Sequence, residues 1–419
     1  MKTCEILSVG NELLGGDMVD TNASYLSQKV AEIGYTVFFR QTVGDDRARI
    51  ESALRLALSR ADLVIATGGL GPTYDDLTRE VAAQVMDAPL EHSEAVAEAI
   101  RAYFSRRQRP MSDNNLRQAQ VPQGATVLWN DWGTAPGLWL EKEEKRLVLL
   151  PGVPHEMKQL FETRVLPRLK EDATESFYTL KLRLYGITES ALDALLSEVM
   201  DATANPAIAP FAGVGAVSLH LTAHAPSATL AERLCRDKAR ELYGVLQPYC
   251  YGEGDTSPES ALVERFIKNG LTVSCAESCT GGMLAQRITS VPNASNIFSL
   301  GACTYSEEEK TRLLGVDPAV FENGGVYSRT CALAMAHGIR RLAQSHMGIG
   351  ITGVAGPGGG TKENPVGTVY IAVTDGKREW VEKNLFGHAA STRDTIRTLA
   401  STHALIMALR ATDLFFYRP

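Results

Sequence analysis

The sequence predicts an α/β protein: two α/β domains with mostly parallel sheets, joined by a small α+β module. Three observations predict it. Across residues 1–171, short apolar runs alternate with stretches whose apolar residues recur at helical spacing, the pattern of βαβ units. From Pro258 the same alternation resumes, which sets a second such domain over 257–419. Between them, over 172–251, apolar and polar residues alternate singly in two stretches, as in half-exposed strands.

Taken in order, Glu5–Val9 reads as a short strand. Asp20, Thr21 and Asn22 can cap a following helix whose Leu26, Val30 and Ile33 share a face, and Gly34 ends it. Thr36–Phe39 is a second strand. Asp45 and Asp46 open a second helix with Ile50, Leu54 and Leu58 on one side. Leu63–Ala66 is a buried strand, and Leu147–Leu150 a later one stopped by Pro151-Gly-Val-Pro154. In the middle module, Leu180–Leu184 and Val217–Thr222 are the alternating strands, with helices near 189–200 and 228–243. Gly252–Pro258 reads as a linker. Leu262, Phe266 and Ile267 then line a helix ending at Asn269-Gly270, followed by strands at 271–275, 298–304, 347–352 and 367–373.

Composition narrows the function. The chain has 419 residues, enough for two or three domains with cores of their own. A net charge of −7 argues against a nucleic-acid surface. No run of about 18 apolar residues is present to span a membrane, and no apolar leader follows Met1. The eight His have no metal spacing, and Cys275 and Cys279 have no second pair to complete a zinc site. With seven Cys, an odd count, free thiols in a reducing cytoplasm are expected.

Two constellations carry chemistry. The first is Thr67-Gly-Gly-Leu-Gly-Pro-Thr-Tyr-Asp-Asp-Leu-Thr78, directly after a strand. Gly68, Gly69 and Gly71 would let backbone N–H groups approach a phosphate, although Gly-Lys-Ser/Thr of a Walker loop is absent. Asp76 follows, and Asp20 and Asp45 fall at strand ends on the same sheet edge. Carboxylates converging beside a phosphate cradle suggest a hard divalent cation bridging to pyrophosphate. The blander reading makes each Asp a helix cap and the glycines a tight turn.

The second constellation is Ala276-Glu-Ser-Cys-Thr-Gly-Gly282, joining a strand to a helix. Ser278 there would meet free N–H groups of the helix N-terminus, donors suited to an oxyanion. It lacks a nearby His but has Lys310, which Ser306-Glu-Glu-Glu309 places in the first turns of another helix. A Lys of lowered pKa can activate a hydroxyl, and the helix dipole would lower it. Spacing alone equally allows a solvated lysine, and Cys279 is a rival nucleophile. Thr352-Gly-Val-Ala-Gly-Pro-Gly-Gly-Gly360, with Gly353 and Gly356, is a second cradle or else a surface loop. Arg393 and Arg397 share a helix face and could clamp a phosphate or form a solvated basic face.

Together these stretches resemble the CinA-like competence/damage-inducible family over essentially the whole chain. Asp20-Thr-Asn22, Thr42-Val-Gly-Asp45, the glycine stretch from Thr67, Asp75-Asp-Leu-Thr78, Gly133-Thr-Ala-Pro-Gly137 and Leu150-Pro-Gly-Val-Pro154 resemble its molybdopterin-binding-type domain. That resemblance implies ADP-ribose pyrophosphatase activity needing a divalent ion of the Mg, Mn or Co type. The middle module resembles the KH-like domain. The C-terminal motifs resemble nicotinamide-nucleotide amidases, which implies Ser278 as nucleophile with Lys310 and Tyr305, and Ser295 assisting the oxyanion. Thr352 and Arg393 would bind substrate, and no cofactor is implied for the amidase. Departures are Glu307 where the family has Asn, an extra Tyr327, and Gly10-Asn-Glu12 near the N-terminus. The expected partners are small nucleotides, nicotinamide mononucleotide and ADP-ribose, and a homodimer is expected. The rival readings are an enzyme with only its N-terminal site active, and a non-enzymatic nucleotide-binding protein of competence or DNA-damage response.

Overall fold

The structure, a computed structural model, describes residues 2–171, 175–202, 205–213, 215–387 and 391–416. It divides into two compact units, residues 1–179 with 222–235, and 180–221 with 236–419. Both carry the expected α/β architecture.

The first unit holds a six-stranded sheet in the order Tyr35–Val43, Lys2–Val9, Leu63–Thr67, Lys145–Leu150, Gly137–Lys142, Thr126–Leu128. The first four strands are parallel. The last two run antiparallel, which the apolar pattern did not reveal. Only Glu143 and Glu144 separate Gly137–Lys142 from Lys145–Leu150, and so short a turn can return the chain only as a hairpin. Asp20 caps the helix Thr21–Ala31 and Asp46 the helix Arg47–Arg60, each accepting a backbone N–H. Apolar side chains fill both sheet faces. Ile50, Leu54, Val81 and Ile100 pack on one, and Leu26, Val30, Met157 and Phe161 on the other. The carboxyl ends of the parallel strands gather the chain at Gly10, Gly44, Gly68 and Pro151 on one edge.

The second unit holds a five-stranded sheet in the order Phe298–Cys303, Val273–Glu277, Met347–Gly353, Thr368–Thr374, Glu379–Leu385. Three strands are parallel and the last two antiparallel, so this sheet is more mixed than the pattern suggests. The edge strand Glu379–Leu385 was not anticipated: Val381 is its one buried residue, so it lacks alternating apolar residues. Helices Pro258–Lys268 and Arg393–Phe416 contribute Leu262, Phe266, Ala400 and Leu405 to one core. Ile267, expected on the same buried face, is 42% exposed. Met335 and Ile339 of Arg329–Ala343 pack with Ala276.

The middle module forms a four-stranded sheet, Ala207–Gly213, Ala216–Ala225, Ser176–Leu184, Cys250–Glu253, with helices Glu189–Ala202 and Ala228–Leu246. The expected linker is tethered. Gly252 and Glu253 complete a strand, Gly254 donates to the Lys181 carbonyl, and Asp255 pairs with Lys181 and Arg183. Tyr185, at the end of its strand, is buried in the C-terminal core. Its hydroxyl meets His403 Nδ1 at 2.8 Å, while His403 Nε2 meets Glu382 at 2.7 Å. Arg410 donates to the carbonyls of Tyr185 and Pro248. Among the described residues no helix is long and apolar enough to cross a membrane.

Candidate functional site

Ser278 sits just past the strand Val273–Glu277, where its N–H still donates to the Ile351 carbonyl. It is only 5% exposed, at the edge of a cleft of about 330 Å³. Cys279, Tyr305, Glu307, Tyr327, Gly353, Gly356 and Arg393 also line that cleft. Lys310 lies beneath it, completely buried. Its Nζ is 2.8 Å from the Thr304 carbonyl, 3.2 Å from that of Tyr305 and 3.3 Å from Ser278 Oγ. Burial, more than any neighbouring charge, pushes its pKa below the ordinary lysine value. A neutral amine has two hydrogens and one lone pair. In that form the two carbonyls, which can only accept, would take both hydrogens and leave the lone pair toward Ser278 Oγ, whereas the protonated amine donates to all three oxygens.

Tyr305 joins the two ends of the site. Its carbonyl holds Lys310, and its hydroxyl accepts from Arg393 Nη2 at 2.8 Å. Arg393 also donates to the Gly356 carbonyl at 2.7 Å, which fixes the glycine loop behind it. Cys279 lines the cleft too, but burial pushes its thiol up to about 12, so it is not a thiolate near neutral pH.

Four expectations need correction. The helix after Ser278 starts only at Met283, and Glu277 occupies its N-terminus. The buried Glu277 carboxylate accepts from the N–H groups of Gly282, Leu284 and Ala285, so none of these can reach an oxyanion. Arg397 gives Nε and Nη2 to the Thr280 carbonyl, so it braces the turn that carries Ser278 and does not line the cleft. Thr352 is buried and donates to the Val326 carbonyl, anchoring the loop that presents Tyr327. Ser295 lies exposed on the short turn Ala294–Asn296, away from the residues lining the cleft. Glu277 is the residue that the sequence reading missed. The signal was present: an acidic residue ending a short buried strand is buried with it, and a buried carboxylate seeks N–H donors.

The first unit has a wider cleft of about 570 Å³ at its sheet edge. Gly68, Gly69, Gly71, Asp45 and Asp76 line it, with Glu12, Asp75 and Glu156. Two of the glycines are required. At Gly68 (φ +100) a Cβ would meet the Val9 carbonyl oxygen at 2.2 Å, and at Gly69 (φ +65) Thr78 Oγ1 at 2.1 Å. Asp45 has its pKa raised, first by burial and then by the charges of Glu12, Asp75 and Asp76, despite an N–H from Asn11. Asp20 does not line this cleft, because capping Thr21–Ala31 uses its carboxylate on Ala23 N–H. Among the described residues no three His, Cys, Asp or Glu side chains group closely enough to hold a metal alone. Asp45 and Asp76 bring two carboxylates to one cleft, which fits a cation that takes its remaining ligands from outside the protein.

Residues 5–171 match the family described as "Probable molybdopterin binding domain", and 179–252 the "Damage-inducible protein CinA KH domain". Residues 255–412 match the "CinA C-terminal domain". A CinA-like protein of Dictyoglomus turgidum is 42% identical over 97% of this chain and 98% of its own length. One from Kosmotoga olearia is 42% identical, also over 97% of this chain and 98% of its own. The crystal structure of CinA from Thermoplasma acidophilum is 36% identical over 38% of this chain and 95% of that one, with a TM-score of 0.36. With three family segments in succession and relatives aligned over nearly their full length, the chain belongs to the CinA-like family.

Proposed function

We propose that the C-terminal cleft hydrolyses the carboxamide of nicotinamide mononucleotide, giving nicotinic acid mononucleotide and ammonia, as a cytoplasmic step of pyridine-nucleotide salvage. The observation that carries this reading is the buried, carboxylate-free amine of Lys310 facing Ser278 Oγ at 3.3 Å. Ser278 Oγ attacks the carboxamide carbon as its proton passes to Lys310. The tetrahedral oxyanion then collapses, and the C–N bond breaks as that proton leaves with ammonia. Water, deprotonated by the same amine, cleaves the acyl ester and restores the hydroxyl. The N–H groups of Cys279 and Thr280, which neither Glu277 nor a turn consumes, are the donors nearest the oxyanion. Arg393, with donors directed along the Gly353–Gly356 loop, serves the 5′-phosphate. A protein that only bound nucleotides would gain nothing from a lysine desolvated beneath a serine, a costly burial. The test is ammonia release from nicotinamide mononucleotide by the wild type and by Ser278→Ala. Release that survives the substitution rejects the reading.

The N-terminal cleft supports a second activity, cleavage of ADP-ribose to AMP and ribose 5-phosphate. Two backbone-tight glycines beside Asp45 and Asp76 favour a pyrophosphate there. A divalent cation would supply charge neutralisation of the phosphates, and Asp45 and Asp76 would hold it. Asp76→Ala is expected to abolish AMP release and leave ammonia release intact. AMP release unaffected by a chelator would remove the cation from the scheme.

A further inference from the structure

Beneath the glycine loop of the N-terminal cleft lies a group of buried polar atoms that the scheme above does not use. Arg79 and Gln118 are 2% and 1% exposed. Both donate to one oxygen, the Leu70 carbonyl: Arg79 Nη1 at 3.4 Å and Gln118 Nε2 at 3.3 Å. Arg79 Nε, Gln118 Oε1 and Thr78 Oγ1 are buried without any partner. The nearby carboxylates make no direct contact with Arg79. Glu80 pairs with Arg47 and Arg117, and Asp76 accepts from Thr73. Arg79 thus forms no ion pair among the described residues. The charges of Glu80 and Asp76 act on Arg79 only across a gap and do not outweigh its burial, and a buried guanidinium without a direct partner is costly, a group that persists where something else needs it.

The Leu70–Gly71 peptide shows what that need is. In a trans peptide the C=O and the next N–H point in opposite directions, and the only cis bonds described are Asn205-Pro206 and Gly356-Pro357. Arg79 and Gln118 draw the Leu70 oxygen into the core, which sends the Gly71 N–H the other way. Leu70, Gly71 and Gln118 all line the cleft. The helix Thr78–Val85 begins beside them with no side-chain cap; the Thr78 N–H donates to the Gly69 carbonyl, and the end of the helix dipole adds to the same positive field.

We propose that Arg79 and Gln118 are positioning residues for an anionic ligand: they lock and polarise the Leu70–Gly71 peptide so that its N–H meets a pyrophosphate, whose charge in turn balances Arg79. This rests on the reading that the N-terminal cleft takes a pyrophosphate nucleotide. Neither residue touches the reacting atoms.

The test uses the full chain, titrated with inorganic pyrophosphate, ADP-ribose and adenosine, with melting followed in parallel. Arg79→Met keeps the apolar length and removes the charge. Its ligand-free melting temperature is expected at or above that of the wild type. Its affinity for pyrophosphate and ADP-ribose is expected to fall about ten- to a hundredfold, the loss of a charge-assisted interaction. The response to adenosine, which lacks phosphate, stays unchanged. Arg79→Lys recovers part of the loss, and Gln118→Leu shows a smaller loss of about threefold to tenfold. Pyrophosphate affinity unchanged in both Arg79→Met and Gln118→Leu overturns the proposal. So does a parallel loss for adenosine with a lowered melting temperature, which a purely structural role would give. If the wild type binds neither pyrophosphate nor ADP-ribose, the nucleotide reading itself fails.

Discussion

The two α/β regions place a glycine-containing turn between a strand and a helix, yet they treat the helix start in opposite ways. After Val273–Glu277, a buried Glu277 carboxylate takes three N–H groups around the start of Met283–Thr289. After Leu63–Thr67, the helix Thr78–Val85 starts without a side-chain cap, above a buried Arg79. The first turn has its anion built in and offers substrate a hydroxyl. The second keeps its carboxylates, Asp75 and Asp76, in the loop ahead of the helix, where they line the cleft. Similar glycine-rich strings thus encode different chemistry, and the deciding residues are buried carboxylates and guanidiniums, not the glycines.

Each prediction strains this contrast. The largest effect belongs to Ser278→Ala and Lys310→Met, expected to lower kcat for the amide by about three orders of magnitude or more, with AMP release from ADP-ribose unchanged. Stopped assays of both products on one preparation check it, and parallel losses would mean the two clefts are not independent. Next is Glu277→Ala, which strands three N–H donors, that of Leu284 fully buried, and is expected to cost about 2–4 kcal/mol of stability. Denaturant unfolding measures it, and a negligible cost would erase the contrast at the helix starts. Arg393→Met should weaken turnover of the mononucleotide about ten- to a hundredfold relative to nicotinamide riboside, which has no phosphate. Equal losses on both would make Arg393 a brace for Gly356 and Tyr305 alone.

The pH dependence follows from Lys310. Its folded pKa is lowered from 10.5 by burial, so between that lowered value and 10.5 the unfolded chain binds more protons. Stability contributed by this group therefore rises with pH across that interval. The same proton loss frees the base, so kcat also rises with pH through the lowered value. Lys310→Met should flatten the stability slope, and melting curves over a pH series would show whether it does. The smallest effect is expected from Cys279→Ala. With the thiol pushed up to about 12, its removal should change kcat by less than about tenfold. A dead Cys279→Ala enzyme would transfer the nucleophile to sulfur.

Much of the architecture was legible because buried strands and capped helices write themselves locally. Asp20, Asp46 and Ser306 cap the helices that their positions imply. The pairing of Ser278 with Lys310 was readable only as one of several possibilities, since proximity across 32 positions has no local signature. The same holds for Arg397 and Thr352, whose residue types suit a ligand but whose partners proved to be the carbonyls of Thr280 and Val326. Side chains that serve the backbone look, in sequence, like side chains that serve a substrate. Asp20 shows the ambiguity resolved in favour of the cap.

Tyr185 bears on how this gene could be cut or recombined. The residue comes from the middle module, but it packs in the C-terminal core and closes a Tyr185–His403–Glu382 chain. A shortened gene beginning at Ser257 would inherit every residue lining the Ser278 cleft together with an empty aromatic socket, and Arg410 would lose both carbonyls to water. Contacts of Tyr185 and Pro248 therefore reach across the boundary visible as a turn in the chain. Lineages that separate these parts would have to refill that socket, with a new aromatic side chain or with a neighbouring molecule.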